Sequence, residues 1–220
     1  MNIIMLGAQG TGKGTVAGLI SGEIGIPQIS TGDIFRKNIS EGTELGKKAN
    51  EYMTKGLLVP DDVTVELIAS RLLADDVKDG LILDGFPRTV VQAEKLDNML
   101  KEQNRKIDIV VNLETPEEEI LERITTRRIC SNSECKAIFN TLLHPSKVEG
   151  VCDHCGSDLY QRDDDKLEKA KTRLEVYHRE TAPVAEYYKG TGALFSTVLS
   201  KSVNRMKDEV AKDVIDYLKK

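Results

Sequence analysis

The chain has 220 residues, 40% of them hydrophobic, and a formal net charge of −5 at neutral pH. That length buries one full core with room for small inserted lobes, and the acidic balance argues against a surface built for nucleic acid or anionic membrane. No apolar run approaches the ~18 residues of a membrane span and no signal peptide is visible; with all four cysteines between Cys130 and Cys155, the expectation is a cytoplasmic protein in a reducing compartment.

Ile3-Ile4-Met5-Leu6 predicts a short buried strand. Residues 7–15 read Gly-Ala-Gln-Gly-Thr-Gly-Lys-Gly-Thr and lead into a helix through 16–20. A glycine-rich turn of this kind aims several backbone N–H groups into one concavity. The helix N-terminus behind it adds partial positive charge, so phosphate is the natural occupant. Lys13 can reach terminal phosphates. The spacing Gly7-x4-Gly12-Lys13 fits a P-loop, although Gly14 stands where Ser or Thr usually offers a hydroxyl to Mg²⁺. The bland alternative is a flexible turn with no ligand.

Residues 26–30 read as a second strand, after which Ser30-Thr31-Gly32-Asp33 opens a helix with Thr31 or Asp33 as its cap. Gly42-Thr43 caps the next helix, over 44–54, which stops at Gly56. Pro60 keeps 57–59 extended, and Asp61 caps a long helix with apolar positions Val63, Val65, Leu67, Ile68, Leu72 and Leu73. Leu81-Ile82-Leu83-Asp84 is a third buried strand, Gly85-Phe86-Pro87-Arg88-Thr89 its loop, and helix follows to about residue 103. Residues 107–113 form the fourth strand. Pro116 opens a helix with Glu117, Glu118 and Glu119 at its positive end, running into Arg127-Arg128. The stretch 129–165 breaks the rhythm and reads as a separate small lobe. Residues 166–188 resume a long helix, bent near Pro183; 193–198 are the fifth strand and a last helix closes the chain. Strands alternating with helices mean an α/β fold whose parallel sheet is covered on both faces. Ligands then sit at the carboxyl ends of the strands, where the glycine loop and the Asp84 loop both lie.

Cys130-x4-Cys135 and Cys152-x2-Cys155, with sixteen residues between the pairs, form two ligand knuckles. Four thiolates suit tetrahedral Zn²⁺ with no open position, so the predicted site is structural. Four residues in the first knuckle could loosen that turn or shift Cys135, and four free buried thiols are the alternative. A lobe with so few large apolar residues needs a staple. His154 reads as a loop residue, His144 and His178 have no visible partner, and Arg71, Arg105 and Arg128 read as solvated or structural charges.

Several segments in order say more than the glycine loop does alone. They are 7–15, Ser30-Thr31-Gly32-Asp33-Ile34-Phe35-Arg36, and Asp84-Gly85-Phe86-Pro87-Arg88-Thr89 with Gln92 behind it. Leu121-Glu122-Arg123-Ile124-Thr125-Thr126-Arg127-Arg128 leads into the cysteine lobe; Tyr160-Gln161-Arg162-Asp163-Asp164-Asp165 leaves it, with Arg173 on the next helix. Over nearly the whole chain this set resembles the adenylate kinases of the long-lid bacterial type. The resemblance implies a P-loop NTPase-like three-layer fold with a parallel five-stranded sheet, a small zinc-binding lid lobe and a helical AMP-binding lobe. The implied boundaries are 1–29, 60–125 and 166–220 for the core, 30–59 for the AMP lobe and 126–165 for the lid. It further implies reversible phosphoryl transfer from ATP to AMP giving two ADP, Mg²⁺ with ATP, Zn²⁺ in the lid, a monomer, and neither nucleic-acid nor membrane partners.

Residue roles follow by position. Gly10, Thr11, Gly12, Lys13, Gly14 and Thr15 would hold ATP, Ile138 and Phe139 would cover its adenine, and the backbone of Lys201 would meet it. The family's own loop carries Lys-Gly-Thr, so Gly14 is in keeping; Gln9 replaces a common Pro and Thr11 a common small residue. Thr31, Arg36, the backbone of Leu57, Leu58 and Val59, Gly85, Phe86, Pro87, Arg88 and Gln92 match the AMP site, with Arg162 and Arg173. An amide at Gln92 can give and accept hydrogen bonds, as an adenine edge requires. Lys13, Arg88, Arg127, Arg162 and Arg173 would be catalytic, Arg127 also binding ATP, and Asp84 would serve Mg²⁺ through its waters. Asp164 and Asp165 match positions that orient lid arginines or a hinge; a solvated turn is the alternative. The family's metal-binding members commonly show two residues in the first cysteine pair. Another nucleoside monophosphate kinase, or GTP as donor, remains open at this stage. A P-loop switch that reads nucleic acid through a zinc ribbon is disfavoured, because the lobe lacks basic residues interleaved with aromatics.

Overall fold

The computed structural model describes residues 1–201 and 207–219. The chain begins with strand β1 (Asn2–Leu6), helix α1 (Lys13–Ile24), β2 (Gln28–Ser30), α2 (Thr31–Glu41), α3 (Glu44–Met53), α4 (Asp61–Leu72) and β3 (Leu81–Asp84). It continues with α5 (Val90–Glu102), β4 (Ile109–Glu114), α6 (Glu117–Thr125), β5 (Arg127–Cys130), β6 (Ile138–Asn140) and β7 (Leu159–Tyr160). Helix α7 (Leu167–Val176), α8 (Ala182–Lys189), β8 (Leu194–Val198) and α9 (Lys207–Leu218) complete it.

Five strands pair in parallel in the order β2-β3-β1-β4-β8. Successive strand residues face opposite sides, so each strand feeds two layers. Ile3, Met5, Ile82, Ile109 and Val111 pack with Val16, Ala17 and Ile20 of α1 and Val210 and Val214 of α9. Ile4, Leu6, Leu81, Leu83 and Val110 pack with Ile68 and Leu72 of α4, Leu96 and Leu100 of α5, and Val184 and Tyr188 of α8. The expected three-layer sandwich is therefore present. Leu83 is fully buried, and truncating such a side chain to Ala costs roughly 2–5 kcal/mol. Among the described residues, no helix is long and apolar enough to cross a membrane.

Two smaller units rise beside the sheet. Helices α2 and α3 close on Phe35, Ala49 and Val59, and they approach so tightly that a Cβ on Gly46 would lie 2.1 Å from Asn38 O. Strands β6-β5-β7 form an antiparallel sheet whose core is Cys130, Phe139 and Cys152.

Several local expectations need correction. The cap of α2 is Ser30, whose hydroxyl accepts Asp33 N–H at 3.3 Å, and not Thr31 or Asp33. Asp61 does not cap α4: Pro60 stands at that position, and the Asp61 side chain turns to Thr89 and Gln92. Helix α6 stops at Thr125, and Arg127 already begins β5. The long helix is broken into α7, a π-helical turn over Tyr177–Thr181, and α8. Pro183 has no N–H to offer and its ring crowds the carbonyl four residues back; the chain widens, and Ala182 N–H reaches back to Tyr177 O.

Candidate active site

The loop after β1 is shaped by glycine. Gly7 has φ +130°, and a Cβ there would lie 2.4 Å from Leu113 O on the neighbouring strand. Lys13 opens α1, and its Nζ donates to Gly7 O at 2.7 Å and Ala8 O at 2.6 Å, so the lysine folds back over the loop. Gly14 packs close to the Asp84 carboxylate. A Cβ on Gly14 would lie 3.1 Å from Asp84 Oδ2, tighter than ordinary contact. Register explains the meeting, since Met5 pairs with Asp84 and the carboxyl ends of β1 and β3 lie level.

A cavity of about 700 Å³ opens above these strand ends. Gly10, Gly12, Lys13, Gly14 and Thr15 line one part; Thr31, Arg36, Leu57, Leu58, Val59, Gly85, Pro87 and Gln92 line another. Arg88, Arg127, Arg162 and Arg173 face the space between, with Ile138 and Phe139 from the small sheet. Three predicted residues stand apart. Thr11 is buried and its hydroxyl donates to Ala8 O at 2.9 Å, serving the loop itself. The Phe86 side chain is fully buried in the core beneath the cavity. Lys201 gives its backbone N–H to Glu119 at 3.1 Å and its ammonium to Glu122 at 2.8 Å, away from the cavity lining.

The arginines are held by carboxylates. Arg127 forms a two-point bond with Asp165, Nε to Oδ2 at 2.9 Å and Nη2 to Oδ1 at 2.5 Å, and Asp165 is 0% exposed. Arg173 pairs with Asp164 at 3.1 Å and approaches Asp165 at 3.6 Å. Asp33 binds Arg36 at 2.5 Å and approaches Arg162 at 3.7 Å, linking α2 to the segment after β7. Arg162 Nε is buried with no partner among the described protein atoms. Burial lowers Arg173 to about 10, with Asp164 opposing and Arg88 and Arg127 reinforcing the fall. Burial likewise lowers Arg88 and Arg162. Burial also works against Arg127, but the bonds and charge of Asp165 outweigh it and the net shift is upward. Lys13 falls to about 8, chiefly through burial, with Asp84 opposing and the arginines adding to the fall. So many cations beside one cavity are a site prepared for a highly charged anion.

The remaining predicted residues divide as follows. Gln92 is buried and bonded on both amide atoms, to Arg88 N–H and to Asp61. Arg71 pairs with Asp76, Arg105 with Asn2 and the Val77 carbonyl, and Arg128 with nearby carbonyls, all structural as expected. His178, expected to be without a partner, meets Glu117 at 2.8 Å. Residues the sequence reading missed are Arg123, which lines the cavity four positions before Arg127, and Asp33 and Asp61, which act across lobes or helices. Local spacing gave no signal for the first, because α6 ends at Thr125 and Arg127 already lies on β5.

The four cysteine sulfurs all lie within 4.8 Å of one another, with Cys130 and Cys155 at 3.4 Å and Cys135 and Cys152 at 3.7 Å. A tetrahedral ion with metal–sulfur bonds of ~2.3 Å spaces its ligands ~3.8 Å apart, so this set fits a metal ion. The backbone shows how the longer first knuckle reaches. Cys135 and Lys136 N–H groups both bond Asn132 O, so the tight turn starts at Asn132, and Lys136 takes φ +50° after it. In the second knuckle Gly156 N–H bonds Cys152 O and Gly156 takes φ +75°. The turns match; Cys130 simply stands two residues ahead of its turn, at the end of β5. His154 packs edge-on to Phe139 at 5.9 Å and is not among the ligands.

A glycine loop between the first strand and first helix of a parallel sheet, ending in a lysine that faces converging arginines, defines a P-loop phosphotransferase. The family model described as Adenylate kinase matches residues 5–193. The chain is similar to the adenylate kinase of Caldicellulosiruptor saccharolyticus, 53% identical over 212 residues, 96% of this chain and 98% of that one. It is 50% identical to that of Archaeoglobus fulgidus over 210 residues, 96% of each. To that of Staphylococcus aureus strain Mu50 it is 49% identical over 218 residues, 99% of each. The chain belongs to the adenylate kinase family, and its reaction is reversible phosphoryl transfer from ATP to AMP, giving ADP.

Proposed function

We propose that Lys13, Arg88, Arg127, Arg162 and Arg173 carry this transfer, with ATP on the glycine loop and AMP between α2, residues 57–59 and Gln92. The supporting observation is their convergence on one cavity, including an Arg162 Nε with no partner among the described residues. ATP and AMP together bring about six negative charges at neutral pH, by the phosphate values of. Arginine suits their neutralisation because its planar fork grips two oxygens and stays ionised. An AMP phosphate oxygen, already ionised, attacks the γ-phosphorus in line as the bond to the β–γ bridging oxygen breaks. No proton moves, so no general base is needed, and alignment with charge neutralisation is the catalysis. Closure of residues 30–59 and 126–165 over the phosphates keeps water out.

Asp84, half-buried at the edge of the glycine loop, fits an outer ligand for Mg²⁺ through its waters. Held there, Mg²⁺ would supply positive charge that offsets the phosphates. Cys130, Cys135, Cys152 and Cys155 fit structural Zn²⁺, which ties a lobe with a three-residue buried core. The reading includes a cytoplasmic monomer. The test is a coupled assay of AMP-dependent ADP formation with MgATP, run beside Lys13→Met. Transfer in the wild type and a loss of orders of magnitude in kcat with the fold intact is expected; near-wild-type turnover in the variant overturns the assignment.

A further inference from the structure

A buried polar chain stands behind the Gln92 amide. Gln92 lies in the first turn of α5, lines the cavity and is 1% exposed. Its Nε2 donates to Asp61 Oδ1 at 2.7 Å, and its Oε1 accepts Arg88 N–H at 2.7 Å. Thr89 Oγ1 donates to Asp61 Oδ2 at 2.9 Å and accepts Gln92 N–H at 3.1 Å. Asp61 comes from a different helix, 31 residues earlier.

A side-chain amide has two donor hydrogens and two acceptor sites on its oxygen. Asp61 occupies one donor and Arg88 one acceptor site, which leaves one N–H and one lone pair. A carboxylate only accepts and a backbone N–H only donates. Turning the amide over would set its oxygen against the carboxylate and its NH₂ against the Arg88 N–H, breaking both buried bonds. Adenine offers an acceptor at N1 and a donor at N6. A 6-oxopurine offers the reverse, a donor at N1 and an acceptor at O6. With the base held through its ribose phosphate, only one orientation of the amide matches each.

We propose that Asp61 is a positioning residue that locks the Gln92 amide in the adenine-reading orientation, and that selection against 6-oxopurine nucleotides passes through this lock. The inference rests on the assignment of this pocket to AMP. Thr89, which both caps α5 and bonds Asp61, completes the lock from the other oxygen.

The test measures kcat/KM for AMP and for inosine monophosphate as acceptors, with ATP as donor. In Asp61→Ala the AMP-over-inosine ratio is expected to fall about tenfold or more, the worth of one buried hydrogen bond, while KM for ATP holds. Asp61→Asn keeps the size of the side chain but can meet the amide with either end, so its ratio should fall less. It also supplies the measurement if Asp61→Ala does not fold. In a Gln92→Ala background the same changes at Asp61 should move the ratio less than about twofold, since coupled residues are not additive. An unchanged ratio in the Asp61 variants, or an equal fall without Gln92, overturns the lock. A wild type that uses inosine monophosphate as well as AMP overturns the pocket assignment instead.

Discussion

Lys13 offers a test that reads protons and not turnover. Burial against the loop, helped by Arg88, Arg173 and Arg127 and resisted by Asp84, brings its ammonium from 10.5 to about 8. Phosphate oxygens near Nζ act in the opposite sense and raise that value again. Between the two values, nucleotide binding takes up a proton. The uptake assigned to Lys13 is about 0.1 proton at pH 7, about 0.5 at pH 8 and about 0.9 at pH 9. Lys13's share of the affinity should be nearly level below pH 7 and fall toward about tenfold per pH unit above 8. Titration calorimetry at pH 8, in two buffers of different ionisation enthalpy, counts the protons directly. Lys13→Met should lose the half proton. Identical uptake in wild type and variant would refute the reasoning. The same shift acts on folding. Between pH 8 and 10.5 the unfolded chain holds more protons on Lys13 than the folded protein does, so this group's stability contribution rises with pH through that window. Below it, the cost of burying the ammonium is present in full.

Gln92→Leu should raise KM for AMP far more than KM for ATP, because an adenine edge left unpaired costs about 1–3 kcal/mol; equal rises would put Gln92 in the wrong pocket. Asp165→Ala leaves Arg127 without its two-point partner while Arg173 keeps Asp164, and with Arg127 still partly wet the lower end of the range applies, about 3 kcal/mol. For a chain this long that is a Tm fall of roughly 6–12 °C, read by calorimetry; an unchanged Tm would make the pair a surface bond in energetic terms. Chelation, or Cys152→Ser, should lower thermal stability while activity at low temperature in excess Mg²⁺ survives, and elemental analysis should find about one zinc per chain. Immediate loss of activity on chelation would contradict a structural role. Shortening the cysteine lobe with its flanking arginines kept should raise ATP hydrolysis relative to transfer, and constant partitioning would remove the lobe from water exclusion.

What was legible in the sequence was chemistry written at short range. The spacing of Gly7, Gly12 and Lys13 is a backbone requirement, and the apolar runs around Ile4, Leu83 and Val110 are strands buried on both faces. The cysteine spacing identified its own cluster, though not that the first turn would begin at Asn132 and leave Cys130 on the strand. What escaped were side chains whose partners lie far along the chain. Asp61 followed by Asp62 before an apolar periodicity looks like a helix cap, and only tertiary packing shows its carboxylate turned to Gln92. Asp33 escaped in the same way, because its second partner, Arg162, lies in another lobe. Ser30 lost to Thr31 and Asp33 as the expected cap because three capping residues stand within four positions, and Ser30 is at once the last residue of β2 and the cap of α2.

The widened turn at Tyr177–Thr181 sets a rule for insertions and deletions. Each residue of an α-helix advances the chain by about 100° around its axis. Upstream of the turn, α7 presents Arg173 to Asp164 and the cavity; downstream, α8 packs Val184 and Tyr188 against the sheet, and the Tyr187 and Tyr188 hydroxyls bond Asp97. Both halves are anchored, and the π turn takes up the one-residue mismatch between them. Deleting a single residue there would change the register between the two anchored halves by about 100°, so that Arg173 and the sheet-packing face of α8 could not both keep their places. Over this stretch the number of residues is constrained as tightly as their identity, which no comparison of side chains position by position would reveal.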